Sequence, residues 1–422
     1  MSEPSKSTKP RAMFFWSLAT LLTVLVVWTS STGGGRHSWQ LVASPTTMLC
    51  QASDTRAIQT KEEGNVMSSN GTCSQQRRIV FVKTHKTASS TTASILERFG
   101  YLHNLSFAVR PAGHILTENS LFDRSVVADQ EALSSKNCSN VGDGFDMLTN
   151  HARYNRPEMD AVVHHAKYVT IIREPVAQFE SAFSYFRVAE KIGLSKYDQP
   201  IEEFMKQPRT YLNMRAYDYY WQAMRNQQLF DLGLDHKYHD DEYMVDYKIE
   251  TLAKEIDLVM ITEYYHESLL LLKKLLCWDF DDILYLSNGV RVPSRRYSLS
   301  PELRTKIRSW NCADAKLYER FNRTFWEKVQ EYGPSFYKDL ATFERMQTEV
   351  TQECIDFTAT VDDGRELRYK PKSNASARCR DILRGDVSYT SLIQDRMREN
   401  GEVSSKFSLA YLRDLYYSVF HS

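Results

Sequence analysis

The run Lys83-Thr84-His85-Lys86-Thr87-Ala88-Ser89-Ser90 places two ammonium groups, one imidazole and four hydroxyls within eight residues. An apolar stretch, Ile79-Val80-Phe81-Val82, leads into it, and an alanine- and leucine-bearing segment leads out. A strand that passes through a cationic turn into a helix N-terminus is built to grip an anion. Amide N–H groups and the helix dipole face the negative charge, and lysines neutralise it. The chemistry this implies is that of an enzyme handling a nucleotide. The glycine-rich pattern GxxxxGK[ST] is absent, and no apolar strand closes convincingly on a metal-binding aspartate, so a magnesium-dependent NTPase is disfavoured. Helix capping and loop solvation would account for the hydroxyls alone. They do not account for two lysines and a histidine at the end of a core strand.

A second loop has matching character. Tyr168-Val169-Thr170-Ile171-Ile172 runs into Arg173-Glu174-Pro175, and Ser181 follows two helical turns later. Proline suits the first position of a helix. A guanidinium fork with a hydroxyl suits a terminal phosphate monoester. Alone, Arg173 and Glu174 would read as a surface ion pair. Together the two loops imply one ligand with two anionic ends.

The elements that must hold these loops follow from periodicity. Short β-branched runs lie at 79–82, 168–172 and 258–261, and helical patterns at 88–99, 176–189, 214–231, 266–276 and 313–332. Alternation of this kind predicts an α/β fold, a central parallel sheet flanked by helices. Ligands in such sheets bind beyond the carboxyl ends of the strands, where both loops fall. Beyond about residue 344 the pattern weakens. Residues 361–378 are polar, and 407–420 form an amphipathic segment expected to dock on the main domain through Leu409, Leu412, Leu415, Tyr416 and Val419.

The chain has 422 residues, 25% of them charged, with a formal net charge of zero. A broad basic footprint for nucleic acid is thereby excluded, and any anion site must be local. No charged residue lies between Arg11 and Arg36, and 13–30 is largely apolar behind Lys6, Lys9 and Arg11. This predicts a single-pass signal anchor with a cytoplasmic tail at 1–12; a cleaved signal is the alternative. Residues 31–75 read as a stem, 76–345 as the catalytic domain and 346–422 as an extension packed on it. Sequons at Asn70, Asn104, Asn137, Asn322 and Asn374 agree with a lumenal location. Seven cysteines without a CxxC pair argue against a zinc ribbon. Cys354 and Cys379 are plausible mates, because the chain between them is polar.

Several stretches resemble the galactose-3-O-sulfotransferases. They are Phe81 to Ser90, Asn150-His151-Ala152-Arg153, Phe179 to Phe186 and the block Glu263 to Trp278. The second loop departs from the commoner Arg-Asp-Pro form, and Ala88-Ser89 stand where many sulfotransferases carry glycine. The resemblance implies a P-loop-like sulfotransferase fold. It also implies a Golgi type II membrane enzyme that uses 3′-phosphoadenosine-5′-phosphosulfate (PAPS). The acceptor would be the 3-hydroxyl of a terminal β-galactose on a glycolipid or glycan, with no metal required. Lys83, Thr84, Lys86, Thr87, Ala88, Ser89, Ser90, Arg173 and Ser181 would bind the donor. Lys83 or Lys86 would neutralise the leaving phosphate oxygen. A histidine suits the general base: His151 is assigned that role and His85 a second essential one, though the reverse also fits. Arg153 is a candidate acceptor contact. His236, His239 and Asp240-Asp241-Glu242 read as a solvated loop rather than a metal cluster. A glycosaminoglycan acceptor or a non-catalytic glycan-binding protein are the competing readings, and the oligomeric state, including a homodimer, stays open.

Overall fold

Ile79-Val80-Phe81-Val82 has no polar side chain, and a run buried on both sides belongs inside a covered sheet. In the computed structural model it is the strand β1 (Ile79–Val82), with all four residues buried. The structure describes residues 73–127, 144–214, 224–286, 290–361, 364 and 366–400. The expected anchor at 13–30, nearly all of the stem, the segment 407–420 and the sequons at Asn70 and Asn137 lie outside them. Among the described residues no helix is long and apolar enough to cross a membrane.

Four parallel strands form the central sheet in the order β2-β1-β3-β4, with β2 Met147–Leu148, β3 Lys167–Ile172 and β4 Leu258–Ile261. Val80 pairs with Leu148, Val82 with Thr170 and Ile172 with Ile261, so the carboxyl ends of the strands sit side by side. The helices that matter for the site are α1 (Ser89–Leu102), α2 (Pro175–Tyr185), α3 (Gln227–Asp231), α4 (Tyr265–Leu276), α5 (Cys312–Tyr332), α6 (Phe336–Cys354) and α7 (Asp386–Glu399). Helices α4 and α5 both pack on β4, and α7 lies along α1. The expected helix over 214–231 is broken at 224–226, where Asn226 takes a left-handed backbone just before α3; residues 215–223 are not described. The expected helix at 176–189 breaks after Tyr185, and Arg187 takes a left-handed backbone before a short second helix, Val188–Lys191.

Beyond residue 344, α6 continues to Cys354 and runs into an antiparallel sheet of order β5-β7-β6, built from β5 (Val290–Arg291), β6 (Ile355–Val361) and β7 (Glu366–Pro371). Strands β6 and β7 are largely exposed, so neither helical nor strand periodicity stood out in their sequence. Cys354 is bonded to Cys379, as their setting suggested, and Cys73 is bonded to Cys277 at the end of α4. The Cys354–Cys379 bond closes a sequence separation of 25 residues around β6 and β7. Its main effect is to restrict the unfolded chain, so Cys379→Ser should cost about 3 kcal/mol of stability. Thermal denaturation followed by circular dichroism measures that loss; an unchanged midpoint would contradict it.

Candidate active site

Each of the four parallel strands delivers a site element at its carboxyl end. The first loop follows β1, His151 comes three residues after β2, Arg173 directly follows β3, and Thr262 directly follows β4. All border one cavity of about 490 Å3. Of the residues proposed from sequence, His85, Lys86, Thr87, Ala88, Ser89, Ser90, His151, Arg173 and Ser181 line it. Lys83 and Thr84 do not. Arg153 is also turned away: it donates to the carbonyls of Phe230 and Asn119, pairs with Asp235 and stacks on the Phe230 ring. It holds loops together behind the site.

The first loop is held by its own hydroxyls. Thr84 donates to the Ile171 carbonyl and lies 2.8 Å from the Thr87 hydroxyl; Ser89 donates back to the Thr84 carbonyl at 2.5 Å. Thr262 spans the loop and the sheet, its one hydroxyl proton shared between the carbonyls of Thr87 (2.7 Å) and Ile172 (3.0 Å). These bonds fix a backbone in which Lys86 (φ 62°) and Ala88 (φ 65°) are left-handed. Such residues cost roughly 1–3 kcal/mol each and persist only where their surroundings impose them. Glycine would adopt these angles freely; here the hydroxyl network imposes them. Ala88 leaves the N-terminus of α1 without a side-chain cap, so its first amides face the cavity region uncapped.

Cations converge on the same space. Lys86, Arg173, Arg187, Arg291 and Arg296 line the cavity, and Glu366 is the carboxylate among the lining residues. Lys86 lies 3.5 Å from the Tyr185 ring centroid. Burial, helped by Arg173, Arg291 and Lys83 and opposed by Glu366, lowers its pKa to about 8. Arg173 donates to the Lys86 carbonyl at 3.2 Å and sits 3.9 Å from Glu263, while Glu174 caps α2 instead of pairing with it. Arg173 Nε and Arg291 Nη1 are buried without a hydrogen-bond partner. Guanidinium donors left unsatisfied beside a cavity fit a bound polyanion, because such groups otherwise carry the full cost of desolvation.

The two histidines stack face to face, with ring centroids 4.4 Å apart. His85 Nδ1 lies 2.9 and 3.1 Å from the carboxylate oxygens of Asp231, and its backbone N–H donates to the same carboxylate at 2.8 Å. Asp231, almost wholly buried at the end of α3, thereby orients the ring. Burial holds the His151 pKa well below the usual imidazole range, with Lys83, His85 and His114 adding to the effect. It is a neutral ring under a carboxylate-backed one. His236, half-buried, stacks on Phe230 and meets the buried His239 edge-on, and Asp240 is bound to Arg225.

Sequence reasoning missed Asp231, Arg291, Arg296 and Glu366. Asp231 was visible only as the end of an expected helix. Arg291 and Glu366 face each other across the β5–β7 pairing, in segments whose sequence carried no strand signal.

Residues 14–390 match the sequence model of a family described as galactose-3-O-sulfotransferase. A galactosylceramide sulfotransferase from Bos taurus is 37% identical over 298 residues, covering 70% of this chain and 68% of that protein. Galactose-3-O-sulfotransferase 2 from Sus scrofa is 33% identical over 318 residues (72% and 75%), and galactose-3-O-sulfotransferase 3 from Homo sapiens is 35% identical over 260 (60% and 58%).

The depressed Lys86 pKa has a direct consequence. Affinity for adenosine 3′,5′-bisphosphate should fall as pH rises through about 8, where Lys86 loses its proton. Lys86→Arg, charged throughout, should remove that fall. Calorimetric titration across this range measures both, and parallel profiles would rule out Lys86 as the titrating group.

Proposed function

This chain belongs to the galactose-3-O-sulfotransferase family, and on that premise we propose that it transfers a sulfuryl group from PAPS to the 3-hydroxyl of a terminal β-galactose on a glycolipid or glycan. The observation that carries the reading is the convergence of an uncapped helix N-terminus, Lys86, Arg173 and the Asp231–His85 pair on one cavity. The unsatisfied guanidinium nitrogens and the two loops suit a donor with phosphate at both ends. When bound, PAPS supplies the activated sulfuryl group. We place the reaction in the Golgi lumen, with residues 13–30 as the membrane anchor.

Three tasks fall to the protein: hold the donor, take a proton from the sugar hydroxyl, and neutralise charge on the departing phosphate oxygen. Arg173, Ser181 and the amides of the first loop hold and orient. Lys86, at the cavity wall, carries the charge that meets the leaving oxygen. For the proton, the surroundings of the two rings favour His85 over His151, the order opposite to the one preferred from sequence alone. Asp231 selects the tautomer with the proton on Nδ1, so Nε2 is the basic nitrogen. As Nε2 takes the hydroxyl proton, the Asp231 carboxylate stabilises the imidazolium that forms. His151 stays neutral beside it, which spares His85 a repulsive charge at 4.4 Å. Its stacked face limits how far the His85 ring can turn.

Incubation of the lumenal domain with radiolabelled PAPS and a panel of galactosylceramide, lactosylceramide and β-galactosyl glycans should label at least one acceptor. No transfer to any of them, with no bisphosphate binding, would sink the reading. Asp231→Asn should lower kcat by about 100-fold or more while leaving bisphosphate affinity within about twofold, because asparagine keeps an oxygen for the His85 backbone N–H of the anion loop but disturbs the tautomer. A kcat close to that of the unmutated chain would return the base role to His151.

A further inference from the structure

Asp386 lies 303 positions after Lys83, at the first turn of α7, and its carboxylate forms an ion pair with the buried Lys83 ammonium. Ser90 and Asp386 also border the same small pocket beside α1. Lys83 is the residue on which the chain leaves β1, and Ser90 is the second residue of α1. Asp386 therefore holds the entrance of the first loop and lies close to its exit, with the left-handed Lys86 and Ala88 between them. Lys83 does not line the cavity, so its charge is committed to this contact. Burial alone would raise the Asp386 pKa, but Lys83 beside it prevails and holds it below the usual range.

Helix α7 is firmly seated for such a role. Gln394 donates to the carbonyls of Arg110 and Gly113, Arg396 to those of Tyr101 and Leu105, and Tyr389 and Ile393 are buried. Thr390 lies 2.9 Å from Asn150, the residue before His151, and both reach the buried Glu97 of α1. The helix thus touches the exits of both β1 and β2.

We infer that Asp386 is a positioning residue for donor binding: by pinning Lys83 to helix α7 it sets the curvature at which the first loop and the start of α1 meet the donor's 5′-phosphate. The inference rests on the donor reading above. It gives helix α7, which adds no residue to the cavity wall, a share in shaping the site.

Calorimetry with adenosine 3′,5′-bisphosphate, with circular dichroism as a check on folding, tests it. Asp386→Asn should weaken bisphosphate binding about tenfold and raise the donor KM in step, leaving the acceptor KM unchanged. In a Lys83→Met background the same change should add less than about twofold, as expected for residues acting through one contact. Equal bisphosphate affinity in Asp386→Asn and the unmutated chain would overturn the inference, even with a lowered melting temperature. So would losses that multiply independently in the double variant. If Asp386→Asn does not fold, Asp386→Glu, which keeps the charge and moves it by one methylene, should still weaken binding; unchanged affinity there overturns the inference. No binding by the unmutated chain would overturn the donor reading itself, and this inference with it.

Discussion

Gathering cations around a small cavity is the constraint to which the rest of this structure answers. Like charges held close together repel, and burial adds a desolvation cost to each. The fold meets part of that cost by placing carboxylates beside several of these cations and beside Lys83 behind them. Lys83 has Asp386, Arg291 has Glu180, Arg173 has Glu263 nearby, and Lys86 has Glu366 across the cavity and Tyr185 beneath its ammonium. These partners come from four separate segments, which must therefore fold together before the site exists. The Nε of Arg173 and the Nη1 of Arg291 remain unsatisfied, donors that an anion in the cavity would complete.

A phosphate-gripping loop without glycine poses a related problem of backbone geometry. Lys86 and Ala88 adopt angles that an L-residue resists, and the strain is contained by bonds that run outside the loop, to Ile171 in β3 and through Thr262 after β4. The loop is consequently an extension of the sheet edge and not an independent turn. The side chains that replace glycine are then free to contribute chemistry, as Lys86 does.

The paired histidines show how environment divides roles between identical side chains. Both rings line the cavity and stack on each other, yet only His85 has a carboxylate on Nδ1, while burial keeps His151 neutral. Stacked rings could not both be charged without mutual repulsion. The buried Asp231 is what distinguishes the two rings, and α3, which carries it, is in turn fixed by Asp314 accepting from the Gln228 and Leu229 amides.

Three strands and the two anion loops were legible because their signal is local: an apolar run ending in cations needs no distant partner to be recognised. The same held for Pro175 opening α2 and for the Cys354–Cys379 pair. Strands β6 and β7 were not legible, since exposed faces erase the alternation that marks a half-buried strand, and the break at Arg187 has no glycine or proline to announce it. By itself the sequence determined the kind of chemistry, since Lys86, Arg173, Ser181 and the histidines are stated outright in the order of residues. Only the tertiary structure decided how that chemistry is distributed: that Lys83 turns inward to Asp386, that Asp231 backs His85, and that Arg291 and Glu366 reach the same cavity. The physical reason is that charge pairing depends on distance in space, and partners separated by 146 or 303 residues leave no trace in local pattern.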